Sequence, residues 1–117
     1  PMCLEAPQEH DHPAAASYLS LTQAPKQVAK IITSLRRAKI CPFKAKDISR
    51  ASGLSWIGIS NSHVERGRLN IRSAMPLSPL LLLRGPHAHK VSVADGYHRL
   101  CAVYDVDEDA LIPCQIV

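Results

Sequence analysis

The segment from Asp95 to Arg99, with the sequence DGYHR, places an acid, a glycine, a phenol, an imidazole and a guanidinium side by side. Val91 and Val93 alternate with other residues before it, as in a strand, and Leu100 and Val103 follow it at helical spacing. A strand that enters a helix through glycine presents the N–H groups of the first helical turn, and these groups favour an anion. The segment therefore predicts a phosphate-binding turn.

Three residues of this turn suit the binding of phosphate. Gly96 lets a ligand approach the backbone because it lacks a Cβ atom. His98 and Arg99 add donors, and a guanidinium can bind phosphate through two parallel hydrogen bonds. Simpler interpretations stay open: an ordinary turn, an arginine paired with a nearby acid, and a surface histidine.

Three strands are predicted around this turn. The apolar run from Pro79 to Arg84 is typical of a strand that is buried on both faces. Lys90 to Ala94 predicts a second strand, and Gly85 to His89 has the length of a hairpin or similar turn between the two. Leu111 to Val117 predicts a last strand, in which Pro113 indicates a sheet edge or a bulge.

Two helices are predicted in the first half of the chain. Pro25 suits a first helical turn, and four apolar residues then recur on one face until Cys41-Pro42 ends or interrupts the helix. These residues are Val28, Ile31, Ile32 and Leu35. Lys44 to Ser52 predicts a shorter helix, for which Gly53 provides a C-terminal cap.

Other segments carry weaker patterns. Residues 1–17 are rich in proline, alanine, histidine and acids, which predicts an extended or disordered lead-in to a domain over residues 18–117. His10-Asp11-His12 within the lead-in is assigned no function. Leu54 to Ile59 fits a strand or a turn, and a third helical stretch is predicted from Asn61 or Ser62 to about Ile71.

The length of 117 residues and the hydrophobic content of 46% fit one domain. The predicted elements indicate an α/β fold, more narrowly α+β, in which helices flank a small mixed sheet. The longest apolar run is too short to span a membrane, and the four cysteines form no CxxC pair. A cytoplasmic protein with reduced thiols and no membrane partner is therefore expected.

The charge is divided unevenly along the chain. Between Lys26 and Arg72 there are eleven lysines or arginines and two acids, whereas the net charge of the whole chain is +4. This basic segment, residues 26–72, can neutralise a nucleic acid or form the solvated face of ordinary helices. The aromatic content of 4% argues against a platform for stacking bases.

Two further groups of side chains were weighed as metal sites. His87, His89 and His98 are close enough in sequence to share an ion, although no carboxylate pattern supports them. The stretch from Asp105 to Asp109 has alternating acids, as the oxygen ligands of a calcium loop do. The glycine and the distant glutamate of such a loop are missing, so an exposed acidic loop is expected. No nucleophile elbow, Walker A sequence or GxGxxG occurs.

The C-terminal third resembles the ParB/sulfiredoxin fold. Proteins of the ParB family carry a strand, then Gly-x-x-Arg with a small residue after it on a helix, then a strand that begins with Ile-Pro. Gly96, Arg99 and Ala102 match this pattern between the run from Pro79 to Arg84 and the strand that starts at Ile112-Pro113. Farther upstream, Asn61, Arg66 and Pro79 fall in roughly the order of an earlier box of the family.

The resemblance implies a phosphate-binding turn at Asp95 to Arg99 and, from some members, nucleotide or nuclease activity. Sulfiredoxins have Gly-Cys-His-Arg at this turn, so Tyr97 stands where their nucleophilic cysteine lies, and sulfinic acid reduction is not expected. The resemblance implies that Tyr97 would shape the pocket at that place and that Asp95 would orient the turn or a metal ion. The sequence shows neither the CTP-binding motif nor the helix-turn-helix that partition proteins carry downstream of this turn. The expected ligand is a nucleotide, with magnesium as a candidate cofactor, or a nucleic acid. The alternative is a binding module for nucleic acid or a partner that uses the basic segment.

Overall fold

The computed structural model describes residues 3–53, 76–85 and 90–117. In these ranges the chain forms four helices and a four-stranded mixed sheet, which together make one compact α+β domain. The helices are α1 (Asp11–Leu19), α2 (Pro25–Arg37), α3 (Ala45–Ser52) and α4 (Tyr97–Val106), and the strands are β1 (Cys41–Lys44), β2 (Leu80–Arg84), β3 (Val91–Asp95) and β4 (Leu111–Ile116). The coarse fold class expected from the sequence is confirmed.

The strands lie in the order β1-β4-β2-β3. β4 runs antiparallel to β1 and parallel to β2, and β2 runs antiparallel to β3. Side chains of β2 are buried on both faces of the sheet, since Leu80 and Leu82 pack in one apolar cluster and Leu81 packs in another. The first cluster contains residues of α3 and α4, and the second contains residues of α1 and α2. The prediction of a doubly buried strand is therefore confirmed.

The position of Pro113 corrects one expectation. β4 lies inside the sheet rather than at its edge, so the proline is not an edge marker. The N–H of Val117 donates to the carbonyl of Leu82. Backbone nitrogens along a strand point alternately to its two neighbours, so Pro113, four residues earlier, also directs its nitrogen towards β2. The ladder with β2 begins only at Cys114, and Pro42 lies opposite Pro113 on the β1 side. An interior proline is tolerated because no ladder bond needs its missing N–H.

Helices α2 and α3 agree with the sequence patterns. α2 begins at Pro25, and its apolar face buries Val28 and Leu35 against the sheet layer. α3 begins at Ala45, one residue after the predicted start, and ends at Ser52, and Gly53 follows it in the left-handed conformation (φ 62°) expected of a C-terminal cap. The intervening β1 was not predicted, because it has only four residues and one of them is proline.

Helix α1 contradicts the prediction of an extended or disordered lead-in over residues 1–17. Residues from Asp11 onward are helical, so the boundary proposed between residues 17 and 18 falls inside α1. Ala15 and Leu19 are buried with Ala94 of β3 and with Val28 of α2. The apolar period of this short helix is weak, and its stability comes from tertiary packing that the sequence alone does not reveal.

Several predictions concern residues outside the described ranges. They include the strand or turn at 54–59, the helical stretch from Asn61 or Ser62 to Ile71, and most of the turn after Gly85 with His87 and His89. Within the ranges, Gly85 donates its N–H to Lys90, which closes the end of the β2 and β3 pair. α4 runs through Asp105 to Val106, so the acidic loop begins two residues later than predicted. No helix among the described residues has the length and hydrophobicity needed to cross a bilayer.

A buried polar chain joins α1 to the centre of the sheet. The side chain of Gln115 donates to the carbonyl of Ala38 (3.0 Å) and accepts from His12 Nε2 at 2.8 Å. His12 is the donor in this contact because an amide oxygen can only accept. Both side chains are buried, so removing His12 leaves the side-chain oxygen of Gln115 without this donor.

We expect His12→Ala to lower the free energy of unfolding by about 2 kcal/mol, because the oxygen of Gln115 would then be buried without a donor. Urea denaturation of His12→Ala, Gln115→Ala and the double variant measures this coupling. The double variant should cost less than the sum of the two single variants. Strict additivity would show that the hydrogen bond contributes nothing to stability.

Candidate functional site

Strand β3 enters α4 through Gly96, as the sequence predicted. Gly96 is the N-cap of α4 and has a φ of 104° and a ψ of 17°. The first helical hydrogen bond runs from the N–H of Leu100 to the carbonyl of Gly96, at 2.9 Å. Tyr97, His98 and Arg99 therefore form the first turn of the helix, and all three are partly exposed.

The requirement for glycine at position 96 comes from the protein itself. A Cβ atom built there would lie 2.5 Å from Leu80 Cδ2 and 2.9 Å from Arg99 Nη2. The positive φ is also a conformation that other residues rarely adopt. The sequence suggested that this glycine makes room for a ligand, whereas the structure shows that it makes room for neighbouring side chains.

Arg99 connects three parts of the fold. Its Nε donates to the carbonyl of Ser78 (3.1 Å), and its Nη2 donates to the carbonyl of Pro79 (3.2 Å) and to Asp95 Oδ2 (2.8 Å). Of the alternatives left open by the sequence, the pairing with Asp95 is present. The guanidinium thus joins the residues before β2 and the end of β3 to α4.

The carboxyl group of Asp95 lies in a crowded electrostatic environment. Its side chain is 15% exposed, and burial raises its pKa above the usual 3.8 even though Arg99 acts in the opposite direction. The charge of Asp11 raises the pKa of Asp95 further, and a positive charge on His10 would lower it. Asp11 and His10 of the N-terminal segment therefore belong to the surroundings of the turn.

Asp11 is fully buried and only partly satisfied. Its Oδ2 accepts a hydrogen bond from the N–H of Gln8 at 2.8 Å, while its Oδ1 has no hydrogen-bond donor among the described residues. His10 Nε2 lies 3.2 Å from Oδ1 outside hydrogen-bonding geometry, on a side chain that is 73% exposed. A buried carboxylate oxygen without a donor is costly, so it marks Asp11 as a candidate functional residue.

Sequence reasoning missed Asp11. It treated His10-Asp11-His12 as a chance polar group, because the lead-in offered no apolar period. The three residues have different surroundings in the structure: His10 is exposed, Asp11 lies near Asp95, and His12 binds Gln115. The acid at the start of α1 suits the helix dipole, but that signal is common and names no site.

Tyr97 and the neighbouring thiols complete the surroundings of the turn. Burial and the adjacent Cys101 raise the pKa of Tyr97 to about 12, so its phenol stays protonated and can donate a hydrogen bond. Cys101 is fully buried in α4. Cys3 is half-buried near Arg99, and burial raises the pKa of its thiol. No thiol takes the place of Tyr97 at the start of the helix.

The side chains that were considered as metal ligands, and for which no metal site was predicted, lie apart or outside the described residues. His87 and His89 lie outside them, and the ranges that the structure covers contain no group of three or more histidine, cysteine, aspartate or glutamate side chains arranged to hold an ion. Asp109 of the acidic loop pairs with Lys46 at 2.7 Å, which lowers the pKa of its carboxyl group. The acidic loop therefore anchors α3 at the surface.

The described part of the basic segment forms an exposed surface. Seven of its cationic side chains are exposed, and Lys46 is partly buried beside Asp109. The exposed residues are Lys26, Lys30, Arg36, Arg37, Lys39, Lys44 and Arg50. Four of them lie on α2, and Lys26, Lys30 and Arg37 among these fall away from its apolar face, which is typical of a solvated helix and also of a surface that attracts polyanions.

Comparisons with models of protein families, with curated proteins and with solved structures found no match to this chain. The resemblance to the ParB/sulfiredoxin fold thus rests on the residues of the C-terminal third.

Proposed function

We propose that this chain is a ParB/sulfiredoxin-like domain that binds a phosphate group of a nucleotide or nucleic acid at the turn from Asp95 to Arg99. The observation that carries the proposal is the start of α4, a helix of ten residues whose N-cap is glycine. Glycine has no side chain to accept hydrogen bonds from the first turn, and the helix dipole favours an anion at that end.

The side chains of the first turn extend this anion site. His98 lies next to Tyr97, with ring centroids 5.9 Å apart, and can donate to a phosphate oxygen, whereas the phenol of Tyr97 is hydrogen-bonded to Cys101 and its ring borders the turn. The charge of Arg99 is compensated by Asp95 at 2.8 Å, so Arg99 adds little attraction for the anion. In this proposal Arg99 does not grip the phosphate with both nitrogens, since its donors serve the protein backbone.

The two acids near the turn bear on the form of the ligand. Asp95 is paired with Arg99, and the negative field of an ionised Asp11, which His10 at 3.2 Å offsets only when it is protonated, would disfavour a bare phosphate. A magnesium ion bound to the phosphates would offset this field, and carboxylate oxygens are ligands that magnesium accepts. Hydrolysis of a nucleotide or of a phosphodiester is the reaction class that such a site would serve, through positioning and charge neutralisation.

A thermal denaturation experiment tests the proposal. We expect one nucleoside phosphate with magnesium to raise the melting temperature of the wild type, because a ligand that binds only the native state stabilises it by about 2.7 kcal/mol at a hundred times its Kd. His98→Ala should abolish this rise, whereas the control Lys30→Ala on α2 should retain it. His98 is preferred to Arg99 because Arg99 also supports the fold.

Asp11→Asn tests whether the charge of Asp11 makes nucleotide binding depend on magnesium. If the negative field is real, this variant should bind the nucleotide with less dependence on magnesium than the wild type does. If no nucleotide stabilises the wild type under any condition, the phosphate site is refuted. If His98→Ala and the wild type respond equally, the ligand binds elsewhere.

A binding module for nucleic acid that uses the basic segment is the second candidate. It is favoured by the exposed cations of α2, and it predicts an affinity that falls steeply with salt. In that case Lys30→Ala and Arg36→Ala should each weaken DNA binding and reduce the salt dependence, while His98→Ala should have no effect. The two proposals thus predict opposite effects on ligand binding for Lys30→Ala and His98→Ala.

A further inference from the structure

Two cysteines face each other across neighbouring strands. Cys41 of β1 and Cys114 of β4 are direct partners in the antiparallel register. Side chains of directly opposed residues project from the same face of a sheet and come close together. Cys41 is exposed, Cys114 is fully buried behind it, and all four cysteines of the chain carry free thiols.

The prolines next to these cysteines determine whether the two cysteines form a hydrogen-bonded or a non-hydrogen-bonded pair of the antiparallel ladder. Pro42 and Pro113 lie opposite each other and have no N–H to exchange, so theirs is the pair without mutual hydrogen bonds. Pairs alternate along the ladder, and Cys41 and Cys114 therefore form a hydrogen-bonded pair. Such a pair has its Cα atoms about 5.5 Å apart, within the span of about 4.4–6.8 Å that a disulfide bridges.

The Cβ atoms of opposed residues are about 4.5–5.5 Å apart, and a disulfide needs about 3.5–4.5 Å. The bond therefore requires β1 to move slightly towards β4. β1 is suited to this movement because it is an edge strand of four residues, three of which are exposed. The adjacent proline pair contributes no hydrogen bonds that would resist it.

We propose that Cys41 and Cys114 are a modification site at which a small-molecule disulfide is reduced and a reversible bond between β1 and β4 is formed. The exposed sulfur of Cys41 attacks the small disulfide, and the first thiol leaves with the proton of Cys41. The sulfur of Cys114 then attacks the Cys41 sulfur of the mixed disulfide, and the second thiol leaves with the proton of Cys114. Two protein thiols lose two electrons, which the small disulfide gains.

The order of attack follows from exposure. Burial raises the pKa of Cys114 to about 12, and the nearby sulfurs of Cys3 and Cys41 act in the same direction, so Cys114 is a weak initial nucleophile. Cys41 lies at the surface, where a small disulfide can reach it. Cys114 reacts once a mixed disulfide forms on the opposite strand, because its target is then held beside it.

The test treats the folded full chain with oxidised glutathione and maps the products by mass spectrometry after digestion. We expect a peptide pair joined through Cys41 and Cys114, a protein lighter by two hydrogen atoms, and reversal by a thiol reductant. Cys3→Ser should form the same bond. Cys41→Ser, which changes an exposed side chain and preserves the fold, should form none.

Stability gives an independent readout, since the bond ties the edge strand to the sheet. The oxidised wild type should melt at a higher temperature than the reduced protein, and Cys41→Ser should melt at the same temperature under both conditions. A bond between Cys3 and Cys114, or a product that stops at glutathione attached to Cys41, would overturn the proposal. The outcome does not depend on whether the turn at Gly96 binds phosphate.

Discussion

Replacing Gly96 with alanine is expected to lower the free energy of unfolding by about 3 kcal/mol. Part of this loss is conformational, because a φ of 104° is unfavourable for any residue with a Cβ atom. The larger part is steric, since the new methyl group would lie 2.5 Å from Leu80 Cδ2, a fully buried atom of the central strand. Urea or thermal denaturation of Gly96→Ala measures the sum.

Gly53→Ala is the matched control. Gly53 also has a positive φ, of 62°, but among the described residues a Cβ atom there would meet Lys90 Cε alone, at an ordinary 3.8 Å. Its substitution should therefore cost the conformational part alone, about 1 kcal/mol. If both variants lose the same stability, the close approach of Leu80 to Gly96 is not important, and the glycine serves only the backbone.

Arg99→Ala is expected to destabilise the domain by about 3 kcal/mol at neutral pH. The substitution removes three hydrogen bonds and leaves Asp95, whose side chain is 15% exposed, without its cation. Arg99→Lys should recover only part of the loss, because an ammonium group cannot reproduce the planar arrangement of donors. Arg50→Ala, which removes an exposed arginine of α3, should change stability by no more than about 0.5 kcal/mol.

The effect of Arg99→Ala should depend on pH. The folded pKa of Asp95 already lies above 3.8 in the wild type, so deprotonation of Asp95 opposes folding as the pH rises through that folded pKa. Without Arg99 the folded pKa rises further. The stability difference between the variant and the wild type should therefore be largest at neutral pH and should shrink as the pH falls towards 3.8. A constant difference would contradict a role for the ion pair.

The strand and helix around the candidate site could be predicted because their signals are local. β3 alternates apolar side chains, Gly96 interrupts the pattern, and Leu100 and Val103 resume it at helical spacing. β2 was predictable for a similar reason, since a run of leucines fits a strand that is covered on both faces. Patterns of this kind depend on the chain itself and require no knowledge of distant partners.

The partners of the site residues could not be predicted in this way. Arg99 had two plausible uses, and only the position of the Ser78 and Pro79 carbonyls decides between them. Asp11 becomes relevant because α1 packs against β3, and a helix with so weak an apolar period gives no sign of that contact. β1 is likewise a strand because β4 lies beside it, since four residues with an internal proline have little tendency of their own.

The strand order has a consequence for how the protein forms during synthesis. β4 is the last strand in the sequence, yet it lies between β1 and β2. β2 and β3 can pair as soon as they are made, whereas β1 has no neighbour in the described sheet until Leu111–Ile116 leaves the ribosome. Contacts over such a long sequence separation form slowly. The nascent chain is therefore expected to expose the edge of β2 until a single late insertion completes the sheet.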